Sequence, residues 1–159
     1  MAKVYVLCGR LCSGKSTYAA RLRKERRAVV LSTDEITLAL FGQDAGEKMD
    51  DYVARTKAYF YRKSLEILES GIDVVLDWGC WTRRERHAVR RFYTDRGFAC
   101  EIHYLDIDDE EWLRRLEKRN RDVLEGRVSA YYVDEGLTAK FRAKFEPPDE
   151  SEIDVWIRQ

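Results

Sequence analysis

The chain has 159 residues, 45% of them apolar, so it can bury the core of one domain but is short for two. Its 29 lysines and arginines are balanced by 29 aspartates and glutamates, which argues against a general polyanion binder and makes any basic patch local. The four cysteines and two histidines show neither a C-x-x-C pair nor metal-ligand spacing, and no apolar stretch approaches the roughly 20 residues needed to cross a bilayer. These features predict a cytoplasmic chain with reduced thiols, no charged-then-apolar leader and no membrane contact.

Short apolar runs alternate with longer charged segments of helical period. The strand candidates are Val4 to Cys8, Ala28 to Leu31, Ile72 to Leu76, Cys100 to Leu105 and Ile153 to Ile157. A long helix is expected from about Glu47 through Glu69, closed by Gly71, and Pro147 and Pro148 break the chain before the last strand. Such alternation predicts an α/β fold with a parallel sheet covered on both faces, because parallel neighbours need helical crossovers. One domain, residues 1–159, is expected.

Between the first strand and the first helix lies "CGRLCSGKST", with Gly9, four residues, then Gly14, Lys15 and Ser16. This is the phosphate-cradling spacing G-x-x-x-x-G-K-[ST], here in its strand-then-helix context. Gly9, Ser13, Gly14, Lys15, Ser16 and Thr17 are therefore the expected nucleotide contacts. Backbone N–H groups from Ser13 to Ser16 would face an anion at the positive end of the helix, Lys15 would reach the β and γ phosphates, and Ser16 would meet Mg²⁺.

After the second strand comes "STDEI", and in open parallel sheets ligands bind at the carboxyl ends of strands. Asp34 is thus placed either as the base that takes a proton from an acceptor hydroxyl or as a charge favouring the start of a helix capped by Ser32 and Glu35. Asp77 ends the third apolar run, where a second carboxylate holds Mg²⁺ directly or through water, or else caps a turn. Thr82 and Glu85 then form a second capping box, and Arg83 and Arg84 oppose the dipole of the helix it starts. A bound anion on the acceptor would relieve that conflict; a solvated basic face from Arg83 to Arg91 is the alternative. Trp78 and Trp81 are placed either to stack on an acceptor or to pack in the core.

The segment "DIDDEEWLRRLEKRNRD" opens with Asp108 and Glu111 at capping spacing and carries Arg115 and Arg119 on one helical face. Those arginines suit charge neutralisation in phosphoryl transfer, while Glu110 to Arg114 and Glu111 to Arg115 are also spaced for ordinary ion pairs.

With these motifs in order, the chain resembles the P-loop kinases of the group that includes polynucleotide 5′-hydroxyl kinase, chloramphenicol phosphotransferase and the zeta toxins, and within it the bacterial AAA-type ATP-binding members. "CGRLCSGKST", "STDEI", "VVLDWGCWTRRER" and "RRLEKRN" carry the resemblance over nearly the whole chain, and "FEPPDESEIDVWI" looks like the segment bordering the adenine. The resemblance implies a three-layer sandwich with a five-stranded parallel sheet in order 2-3-1-4-5 and a helical arginine lid. It implies ATP and Mg²⁺ as cofactors, Asp34 as general base, Lys15 and Ser16 on phosphate and metal, and Arg115 and Arg119 as lid arginines. The Trp78-Gly79-Cys80-Trp81 run departs from relatives that carry a polar residue after the strand-three Asp, so the acceptor stays open. A small-molecule hydroxyl is favoured over a nucleic-acid 5′-hydroxyl by the balanced charge, and an ATP-hydrolysing switch without an acceptor is the third reading.

Overall fold

The computed structural model describes residues 1–44 and 46–159. Its elements are β1 (Lys3–Cys8), α1 (Lys15–Arg26), β2 (Val29–Ser32), α2 (Thr33–Phe41), α3 (Met49–Glu69), β3 (Val74–Asp77), α4 (Arg83–Thr94), β4 (Ala99–Asp106), α5 (Asp109–Leu124), α6 (Glu135–Lys144) and β5 (Val155–Arg158). The strands form one parallel sheet in the order β2-β3-β1-β4-β5, as the resemblance implied. The long helix starts later than expected, because Gly46–Lys48 form a 3₁₀ turn ahead of α3.

Alternation along β1 builds the two cores. Val4, Val6 and Cys8 face α3 and α4, where Phe60, Leu68, Val89 and Tyr93 pack against them with Val74, Leu76, Ile102 and Tyr104. Tyr5 and Leu7 point the other way and meet Ala19 and Leu22 of α1 and Val75 of β3. A strand buried on both faces reads as a continuous apolar run, and β1 does so with Val4, Val6, Leu7 and Cys8 fully buried.

The helix starts follow their caps. Thr82 and Glu85 make the full reciprocal box at the start of α4. Ser32 accepts from the Glu35 N–H at 3.3 Å, and Asp108 from the Glu111 N–H at 2.9 Å. In α5 the return half of the box is not made, because the Glu111 carboxylate turns to Arg114 and Arg115. The expected Glu110 to Arg114 pair is therefore replaced by Glu111 to Arg114, and the expected Glu111 to Arg115 pair forms at 2.6 Å.

Candidate functional site

The site lies at the carboxyl ends of β1, β2 and β3. Gly14 caps α1 in the left-handed region (φ 91°), a conformation that costs glycine little and other residues more. Gly9 has no room for a side chain: a Cβ there would sit 2.6 Å from Ser13 Oγ and 3.0 Å from the Leu105 carbonyl oxygen. The loop is framed by two indoles, Trp81 Nε1 donating to the Gly9 carbonyl at 3.1 Å and Trp112 Nε1 to the Leu11 carbonyl at 2.6 Å.

Lys15 Nζ donates to the carbonyls of Gly9 (3.0 Å) and Arg10 (2.6 Å), so its ammonium lies folded over the loop. Burial pushes its pKa below the usual lysine value, and the carboxylates of Asp77 and Asp34 oppose that shift. Ser16 Oγ donates to Asp77 Oδ2 at 2.9 Å. Burial pushes the Asp77 carboxyl up from its ordinary range, against the pull of Lys15 and the Ser16 hydroxyl, and Asp34 adds a like charge. Both groups therefore carry charge that water does not fully solvate. Asp34 stands exposed in the first turn of α2, its carboxylate in no ion pair among the described residues. Thr17 is exposed on the first turn of α1.

These residues fit a nucleotide polyphosphate. The Ser13 hydroxyl is fully buried without a hydrogen-bond partner among the described residues, Gly9 leaves a cradle that a Cβ would fill, and the Lys15 ammonium rests on carbonyls that a phosphate could replace. A hydroxyl and a carboxylate oxygen, from Ser16 and Asp77, suit a hard cation that keeps waters and phosphate oxygens as its other ligands. No cluster of three or more His, Cys, Asp or Glu occurs among the described residues.

Helix α5 brings Arg115 and Arg119 to the loop. Arg119 Nη1 lies 3.6 Å from Cys12 Sγ, and its buried Nε has no partner. Arg115 donates to Glu111 and, through Nη1 at 2.9 Å, to Gln159 Oε1, while Gln159 Nε2 donates to the Ser13 carbonyl at 2.7 Å. Arg10, given no role by the sequence, stacks its guanidinium 4.8 Å over Trp112 and ties the loop to Asp109 and the Ile107 carbonyl.

The arginine-rich start of α4 divides. Arg83 is exposed and lies 3.4 Å from Asp149, with its backbone N–H on Glu146. Arg84 is exposed, with no ion pair among the described residues. Arg86, by contrast, is 1% exposed and holds Glu152 through two bonds, at 3.1 and 3.3 Å. Arg90 binds Asp154 and the carbonyls of Cys100 and Glu152. The expected solvated face from Arg83 to Arg91 is thus half internal, since 86, 89, 90 and 93 share the face that carries Val89 and Tyr93. That periodicity was the available signal. Trp78 packs with Phe60 and Tyr61, and Trp81 meets Phe141 of α6 edge to face.

Comparison with known proteins places this geometry. A family model described as an AAA domain matches residues 4–148. Among solved structures, Kti12 of Chaetomium thermophilum in complex with ADP-AlF3 is similar over 98% of this chain and 88% of its own, at 15% identity and a TM-score of 0.71. The APS kinase CysC of Mycobacterium tuberculosis in complex with AMPPNP and APS matches over 99% and 88%, at 18% identity and 0.66. A gluconokinase from Sinorhizobium meliloti matches over 98% and 81%, at 15% identity and 0.64. A search of curated proteins gives no significant match.

Proposed function

From a chain that belongs to the AAA domain family of P-loop kinases, we propose a phosphotransferase that moves the γ-phosphoryl group of Mg-ATP to a hydroxyl of a small-molecule acceptor. The observation that carries the reading is the convergence at one sheet end of Lys15, the Ser16 and Asp77 pair, and Asp34, in no ion pair among the described residues, whose charge acts on both Lys15 and Asp77. A carboxylate there can take the proton of an acceptor hydroxyl or, when no acceptor is bound, of water.

Each residue then has a task. Backbone N–H groups of the loop hold the phosphates, and Lys15 exchanges the Gly9 and Arg10 carbonyls for phosphate oxygen. Ser16 and Asp77 hold Mg²⁺, which when bound draws charge from the phosphate oxygens. Asp34 orients the acceptor hydroxyl and takes its proton as the new O–P bond forms and the bond to the ADP oxygen breaks. Arg119 and Arg115 neutralise charge on the transferring group. Arg83 and Arg84, at the exposed start of α4, are the proposed contacts for an anionic group on the acceptor. The nucleic-acid reading loses support because Arg86 is buried on Glu152 and the half-buried Arg90 is taken up by Asp154 and backbone carbonyls. A cytoplasmic setting fits the four free thiols.

The test is the fate of label from γ-labelled Mg-ATP in the presence of a protein-free metabolite extract, a 5′-hydroxyl oligonucleotide, or buffer alone, with Asp34→Asn beside each. Label on a metabolite, lost in the variant, is expected. Transfer to the oligonucleotide would replace the acceptor class, and free phosphate released equally by both proteins would reject Asp34 and the kinase together.

A further inference from the structure

The chain between α5 and α6 crosses the face of α2 in a way that the phosphate loop does not explain. Gln43, just beyond the end of α2, grips its backbone twice: Nε2 donates to the Ala130 carbonyl at 2.6 Å and Oε1 accepts from the Tyr132 N–H at 3.0 Å. Asn120, the neighbour of Arg119 on α5, grips Val133 in the same manner, at 2.6 and 2.9 Å. Between these two amide clamps Tyr131 reaches into α2, where its hydroxyl donates to Thr37 Oγ1 at 2.8 Å. The Thr37 side chain is 1% exposed and in turn faces the carbonyls of Thr33 (2.8 Å) and Asp34 (3.4 Å).

We infer that Tyr131 is a positioning residue for Asp34, acting through Thr37 on the first turn of α2, and that residues 130–133 form a strap coupling the arginine helix to the acceptor side of the site. The inference rests on the proposed role of Asp34. The turn that carries Asp34 sits at the sheet end with no ion pair among the described residues to hold its carboxylate, so its aim depends on the backbone beneath it. Thr37 is the only side chain among the described residues that bonds to the carbonyls of that turn, and Tyr131 fixes the Thr37 hydroxyl so that its proton points at them. Because Asn120 follows Arg119 directly, a displacement of α5 toward bound nucleotide pulls on the same strap.

The experiment is single-turnover release of phosphate from γ-labelled Mg-ATP, with enzyme in excess and water as the acceptor, so that slow turnover is still measured. Affinity for Mg-AMPPNP and the melting temperature are recorded alongside. Tyr131→Phe and Thr37→Val are each expected to slow release by roughly threefold to tenfold, the worth of one neutral hydrogen bond, with AMPPNP affinity unchanged. The double variant should lose no more than the worse single one, because the two groups act in one chain of contacts. Thr37→Ser, which keeps the hydroxyl, should retain the wild-type rate. Asp34→Asn separates the two readings. If it abolishes release while Tyr131→Phe runs at the wild-type rate, the positioning role is rejected and the base survives. If Asp34→Asn itself runs at the wild-type rate, both are rejected. Additive losses with a matching fall in melting temperature would reduce Tyr131 to a packing contact and overturn the inference.

Discussion

Replacing Glu152 by alanine tests how the segment before β5 is held. The Glu152 carboxylate is buried and takes both bonds from the Arg86 guanidinium, as well as the Asp149 N–H at 2.9 Å. Removing one partner of a buried pair costs about 3–5 kcal/mol, because the other charge is left without its counterion. Arg86 would keep the Trp81 and Glu146 carbonyls through Nη1, so the lower end applies, about 3 kcal/mol. For a domain of this size that is a fall in Tm of about 6–12 °C by calorimetry at pH 7. Arg86→Met with Glu152→Met should recover most of it, since no lone charge remains. The pH dependence has a definite sign. Burial alone would raise the Glu152 carboxyl, but Arg86 and the Asp149 N–H outweigh it and hold the pKa below its ordinary 4.5. Its contribution is thus full above the unfolded value and fades as pH falls through the folded one, so the gap between wild type and Glu152→Ala should narrow as pH falls below about 4.5. A loss under about 1 kcal/mol at pH 7, the worth of an exposed pair, would refute the argument.

Three further outcomes are expected. Gly9→Ala should abolish Mg-ADP binding in calorimetric titration while far-ultraviolet dichroism stays native, because the new Cβ would meet Ser13 Oγ and the Leu105 carbonyl; wild-type affinity would show that the loop tolerates a side chain. Ser16→Ala should raise the Mg²⁺ concentration needed for half-maximal turnover more than it weakens metal-free ADP binding, and equal effects would remove Ser16 from the metal. Of the four thiols, a disulfide reagent should titrate Cys12 alone in the native protein. Cys8 and Cys100 are buried with thiols pushed up to about 11 and about 12, burial also pushes the Cys80 thiol well above its ordinary range, and Cys12 is partly exposed on the loop. Bound Mg-ADP should slow that reaction, and rapid labelling of more than one native thiol would contradict the burial.

What was legible in the sequence is what depends on neighbours along the chain. The spacing of Gly9, Gly14, Lys15 and Ser16 encodes a loop whose geometry is set within eight residues, and the structure forms it with Gly14 in the left-handed region. The strand-end positions of Asp34 and Asp77 followed from where the apolar runs stop, and the caps at Ser32, Thr82 and Asp108 from spacing of three. The sheet order came from resemblance, since local pattern does not state which strands pair. Within α5 even local reasoning chose one partner wrongly: at both i,i+3 and i,i+4 an arginine can reach a carboxylate, and Glu111 took Arg114 as well as Arg115.

The arginines of α4 show why the rest was not legible. Arg83, Arg84, Arg86 and Arg90 look alike as letters, yet two are exposed, Arg86 is buried on Glu152, and Arg90 is half-buried on the carbonyls of Cys100 and Glu152. An arginine is buried only where oxygen atoms come to meet its donors, and besides the nearby Trp81 carbonyl those of Arg86 come from Glu152 and Glu146, more than fifty residues away. The helical phase of Val89 and Tyr93 marks the inner face, but phase alone does not supply a counterion. The strap is harder still to read, because Gln43 and Asn120 hold backbone N–H and C=O groups, which every residue but proline presents alike. Only Tyr131 contributes a side chain of distinctive chemistry, and its partner Thr37 lies ninety-four positions earlier. Contacts of this kind link the acceptor side to the arginine helix without leaving a motif, so they emerge only once the chain has been folded.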